Sequence, residues 1–136
     1  MFPIQSVWLL RISLVYLLLG TLLGALLMSQ KIYLWDHSLW FLLPIHYSIM
    51  VWGFFIQFIM GTAYWMFPKH LSDSPRGSQF QAWLLLYSYN IGFVFFLVIQ
   101  ITQLPNDFER VAKILISLAI VMFIKLMWVR SISYNS

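Results

Sequence analysis

Four long stretches of the 136-residue chain are almost unbroken runs of apolar side chains, separated by polar or proline-bearing breaks at 29–38, 68–79 and 102–110. The runs cover about 7–28, 39–67, 80–103 and 108–129, and each exceeds the roughly 20 residues that a tilted helix needs to cross a bilayer. In hydrocarbon only helices and closed barrels satisfy every backbone polar group. A barrel strand alternates apolar and polar positions, and these runs do not. The pattern therefore predicts an all-α protein, an antiparallel bundle of four transmembrane helices forming a single domain over 1–136.

Composition agrees with that reading, because 62% of residues are hydrophobic and only 9% are charged. A soluble domain has no way to hide so much apolar surface. The eight basic residues are scattered singly, which excludes a nucleic-acid stripe and leaves their charge as topology information. There is no cysteine, so disulfides, iron-sulfur clusters, covalently attached haem and thiolate zinc sites are excluded. The first apolar run continues for a full span without a small-residue cleavage site, and reads as a retained helix.

With both termini on the cytoplasmic side, the inner ends of the spans carry Arg11, Lys69, Arg76, Lys125 and Arg130, and the outer ends carry Lys31, Arg110 and Lys113. Five against three follows the positive-inside rule, so the expected setting is a multi-pass protein of the cytoplasmic membrane. Arg11 and Lys125 lie a turn or more inside their spans, from which long side chains snorkel to the interface.

His46 is a different matter, since an imidazole about two turns inside the second run needs a partner within the membrane. At about 100° per residue, His46, Met50, Gly53, Gln57 and Tyr64 share one helical stripe, with Met60 and Gly61 at its edges. Ile49, Phe54, Phe55, Phe58 and Ile59 fall on the other faces, which read as lipid or packing surface. Gly53 would admit a flat group or a neighbouring backbone. Other polar or small stripes are Ser13, Gly20 and Gly24 on the first helix, and Tyr87, Asn90 and Trp83 on the third. Gln57 and Tyr64 read as hydrogen-bonding into the bundle.

Three roles suit the imidazole: a hydrogen bond to a neighbouring helix, a ligand to haem or copper, or a proton relay. Copper is disfavoured because His37 falls in the outer loop and His70 beyond the far end of the same helix. A haem needs only one or two axial ligands in an apolar slot. The candidate haem-binding residues are His46, as the iron ligand, with Met50 and Gly53 beside it. Met50 lies one turn from His46 on the same helix, so a second ligand on the opposite haem face must come from another helix or chain.

The run "IHYSIMVWGFFIQFIMGTAYWMFPK" resembles the second transmembrane helix of subunit I-like proteins in the haem-copper oxidase superfamily, in particular small four-helix members. His46, Gly53, Gly61, Ala63, Tyr64, Trp65 and Pro68 carry the likeness, and Arg76, Gly77, Ala82, Trp83, Asn90 and Gly92 extend it through the next loop and helix. About half the chain is covered. The resemblance implies that His46 stands where the superfamily places an axial histidine of its low-spin haem. The chain departs from that pattern at Ser48, where a second histidine is expected, and at Trp52–Gly53, whose order is reversed. The helices that would carry the remaining haem and copper ligands are absent, so this chain is not a complete oxidase by itself.

The expected function is that of a membrane haem b protein in electron transfer, gas or haem sensing, or service as an auxiliary respiratory subunit. The alternative is a structural or assembly subunit with no cofactor of its own. Expected partners are lipid, haem, and a second copy of the chain or other respiratory membrane subunits. A second copy could share one haem between two His46 residues across a twofold axis.

Overall fold

The computed structural model describes residues 3–34, 36–67 and 78–132, and among them every regular element is a helix. Four helices are long and apolar enough to cross a membrane: α1 (Ile4–Tyr33), α2 (His37–Met66), α3 (Gln79–Thr102) and α4 (Asn106–Ile132). The protein is thus a multi-pass, all-α membrane protein. Pro68, His70, Arg76 and Gly77 lie outside the described residues.

Local sequence sets the helix ends. Leu34 takes the left-handed conformation (φ 50°) and its N–H caps Gln30 O, so α1 runs through the polar break at 29–33 before stopping. The buried Gln30 side chain bonds the Asp36 backbone: Gln30 Nε2 donates to Asp36 O at 2.7 Å, and the Asp36 amide donates to Gln30 Oε1 at 3.1 Å. The Asp36 carboxylate in turn accepts from the Ser38 amide at 2.9 Å, a bond that holds its carboxyl below the usual carboxylate range. α3 starts at Ser78, whose hydroxyl accepts from the Gln81 amide, and stops at left-handed Gln103, two residues before Pro105. Asp107 and Glu109 occupy the first turn of α4, where the helix dipole favours negative charge.

The helices associate as two antiparallel hairpins, α1 with α2 and α3 with α4, and contacts between hairpins are fewer. Along α1 and α2 the register is regular. Gly24 faces His46, Gly20 faces Met50 and Ile49, Gly53 faces Tyr16, and Gly61 faces Leu9 and Leu10.

α2 is not a uniform helix. It opens with a 3₁₀ turn (His37–Phe41), continues as α-helix over Leu42–Ser48, widens to a π-helix over Ile49–Ile56, and returns to α-helix over Gln57–Met66. The widening explains a spacing that an α-helix does not accommodate. The buried residues Ile45, Ile49, Gly53, Gln57 and Gly61 recur every fourth position. In a straight α-helix each such step turns about 40° past a full circle, which would spread five residues over nearly half the circumference. The extra residue per turn of i→i+5 bonding cancels most of that drift. Ile49, read as lipid or packing surface away from the polar stripe, packs in the core, whereas His46 and Met50 of that stripe are only half-buried. Phe55, Phe58 and Ile59 are exposed, as a lipid face requires.

Candidate functional site

His46 packs its ring edge against α1. Its Nδ1 lies 2.9 Å from the Gly20 carbonyl oxygen. A carbonyl only accepts, so Nδ1 carries the hydrogen, and in the neutral tautomer of that kind the lone pair is on Nε2. The contact depends on Gly24, where a Cβ would stand 2.9 Å from His46 Cε1. The small pair Gly20 and Gly24 thus forms the seat of the imidazole, one glycine offering its carbonyl and the other its empty side-chain space.

Met50 and Gly53 belong to the interior below that seat. The Met50 sulfur lies against Gly20, and a Cβ on Gly53 would stand 2.8 Å from both Phe93 Cε1 and Tyr16 Cγ. Tyr16 and Phe93 meet edge to face there, with ring centroids 5.1 Å apart. The space beside Gly53 is filled by two aromatic rings, which leaves no slot for a macrocycle between the helices at that height.

His46 instead opens sideways into a groove of about 450 Å³ between α1 and the first turns of α2. Gly24, Leu27, Met28 and Lys31 line it from α1, and Trp40, Leu43, His46 and Tyr47 from α2. This volume lies within the range of small-molecule and cofactor sites, roughly 300 to 1,000 Å³. The lining suits a flat amphipathic group: apolar walls, two aromatic side chains and one ammonium, with the His46 imidazole among them. Neither Met50 nor Gly53 lines this groove, so the structure separates them from the face on which His46 opens. A smaller groove of about 260 Å³ beside Trp52, Phe96 and Lys113 offers no imidazole or thioether. Among the described residues, no three histidine or acidic side chains come together to hold a bare metal ion.

Three further residues take places that the sequence does not reveal. Tyr89, fully buried, donates its hydroxyl to Trp52 O in the π-helical segment at 2.6 Å. The polar stripe expected on the third helix sits elsewhere: Tyr87 is exposed and stacks on Trp83, with centroids 5.7 Å apart. No apolar periodicity marks Tyr89 as inward, because Leu84, Ile91, Val94 and Val98 on the exposed faces of α3 are as apolar as the buried Leu85, Phe93 and Phe96. Arg130, counted among the charges at the inner ends of the spans, is fully buried. It donates to Tyr64 O at 3.0 Å and to Phe67 O, which satisfies carbonyls at the C-terminal end of α2. The expectation that Gln57 hydrogen-bonds into the bundle is corrected: it is fully buried, but neither of its side-chain polar atoms has a hydrogen-bond partner. By the α1/α2 register Ser13 stands opposite Gln57, but its hydroxyl donates to Leu10 O in its own helix. Arg11, in contrast, is exposed and lies over the Trp8 ring at 5.8 Å.

Comparisons with protein-family models, with curated proteins and with solved structures return no match for this chain.

Proposed function

We propose that the protein is a haem b protein of the cytoplasmic membrane, with His46 as an iron ligand and with both termini cytoplasmic. The observation that carries this reading is the bond between His46 Nδ1 and Gly20 O. A histidine that ligates a metal commonly donates its other ring N–H to a carbonyl or carboxylate, which fixes ring and tautomer. Here that arrangement is already in place, and the ring with its Nε2 lone pair borders a groove of suitable size and polarity. Leu27, Leu43, Trp40 and Tyr47 would hold the macrocycle by apolar and aromatic contact, and the Lys31 ammonium suits its carboxylates. When bound, a haem supplies one-electron exchange or binding of a diatomic gas. The chain's own residues fix the imidazole, shield it from water and orient the ring. The likeness of α2 to an oxidase haem helix adds to this reading, and electron transfer, gas sensing or an auxiliary respiratory role all remain compatible with it.

A second reading is favoured by the same hydrogen bond, because Gly20 O satisfies the imidazole without any cofactor. In that reading the chain is a structural or assembly subunit of a membrane complex. The visible spectrum of the purified protein decides between them. A Soret band with sharp dithionite-reduced alpha and beta bands, abolished in His46→Ala and kept in His37→Ala, is the expected result. A colourless protein after expression with ample haem, or full haem content in His46→Ala, would overturn the proposal.

A further inference from the structure

We propose that Tyr89 is a positioning residue for His46: the bond from its hydroxyl to Trp52 O holds α2 in its π-helical form, and that form seats the imidazole on Gly20 O. The inference concerns the imidazole and its seat, and stands apart from the haem reading above.

α2 is fastened to the rest of the molecule in two separate places. On the C-terminal side of the π segment, Ser6 Oγ donates to Gly61 O at 2.6 Å, Leu9 and Leu10 pack on Gly61, and Arg130 donates to Tyr64 O at 3.0 Å. On the N-terminal side, His46 Nδ1 lies 2.9 Å from Gly20 O and the ring fills the space at Gly24. A straight α-helix does not serve both seats. Each four-residue step of α-helix overshoots a full circle by about 40°, so the two steps within Ile49–Ile56 would turn His46 by on the order of 80° from the direction set at Gly61. A turn of that size carries the imidazole off Gly20 and Gly24.

The wider winding needs support from outside, because π-helical segments are rare and mostly confined to a single turn, whereas this one runs for eight residues. Two residues one turn apart on α3 supply it at the middle of the segment. Tyr89, fully buried, donates to Trp52 O at 2.6 Å, and Phe93 fills the space left by Gly53, where it meets Tyr16 of α1 edge to face. Of these two contacts only the hydrogen bond is strongly directional: it requires Trp52 O to stay within reach of α3, and so limits rotation of the segment about its own axis. Phenylalanine at position 89 keeps the ring and removes only that bond.

The test uses the full chain in lipid bilayers, isotopically labelled at the histidine ring nitrogens and the glycine carbonyl carbons. Solid-state NMR reads the dipolar coupling between His46 Nδ1 and the Gly20 carbonyl carbon, and His46→Ala identifies the signal. A sample that carries haem is held as its ferrous carbon monoxide complex, which is diamagnetic, so the same coupling is read with or without the group. The wild type is expected to show the coupling and Tyr89→Phe to lose most of it. Gly92→Ala is the control, since it disturbs α3 on the side that faces Leu115 and Ile116 of α4, and it is expected to keep the coupling in full. A coupling that survives in Tyr89→Phe, that falls equally in Gly92→Ala, or that is missing from the wild type overturns the assignment. A colourless wild type in which Tyr89→Phe still removes the coupling overturns the haem reading and supports the role of Tyr89.

Discussion

The two hairpins use glycine for opposite purposes. In α3/α4 the small residues close a seam: a Cβ on Gly92 would meet Leu115 Cβ at 3.0 Å and Ala112 O at 3.4 Å, and Ala112 and Ala119 are fully buried. Backbones approach there, and the contact is apolar packing of the kind that drives helix association where lipid is as apolar as leucine. In α1/α2 each glycine is a socket that receives a side chain from the other helix: His46 at Gly24, Met50 at Gly20, Tyr16 at Gly53, and Leu9 with Leu10 at Gly61. That interface is also crossed by hydrogen bonds, from Ser6 Oγ to Gly61 O at 2.6 Å and from His46 Nδ1 to Gly20 O. A seam needs only small size, whereas sockets need a matched partner at each height. The hairpin that carries the groove is therefore the one whose geometry is specified residue by residue.

The strongest way to break this comparison is to fill a socket. Gly53→Leu drives a branched side chain into two aromatic rings at once and is expected to cost about 3 kcal/mol, the upper part of the usual overpacking range. Gly92→Ala adds one methyl to a tight seam and should cost about 1 kcal/mol. Reversible unfolding in mixed detergent micelles measures both, and equal costs would erase the distinction between socket and seam.

Next in size is the tie between hairpins. Arg130→Met keeps the length and the apolar stem while removing the donors to Tyr64 O and Phe67 O. Hydrogen bonds to charged groups contribute about 1.5 to 3 kcal/mol each, and the relief of burying a charge offsets part of that. A net loss of about 2 kcal/mol is expected. Faster proteolysis or hydrogen exchange at the end of α2 than in α3/α4 would locate the damage there.

The smallest expected change has the opposite sign. Gln57→Leu replaces a fully buried amide that has no hydrogen-bond partner by an apolar group of similar size, and should stabilise the bundle by up to about 1 kcal/mol. A loss of more than about 1 kcal/mol in the same unfolding assay would show that the amide is satisfied after all.

Some of this was legible in the chain itself. Four apolar runs of sufficient length, separated by polar and proline-bearing breaks, determine four membrane helices, because the bilayer allows no other use of such segments. His46 stood out for the same reason, as a polar ring where its burial demands a partner, and Gly20 and Gly24 stood out as small residues at one-turn spacing. What only the tertiary structure decided was which face of each helix turns inward. Lipid tails and a protein core are equally apolar, so the pattern that marks a buried face in a soluble helix is nearly absent here. That is why Ile49 rather than Met50 enters the core, why Tyr89 rather than Tyr87 bonds across to α2, and why Arg130 is interior. The π-helical widening of α2 follows from the same cause: five inward positions at four-residue spacing settle on one face only once α1 and α3 are there to pack against them.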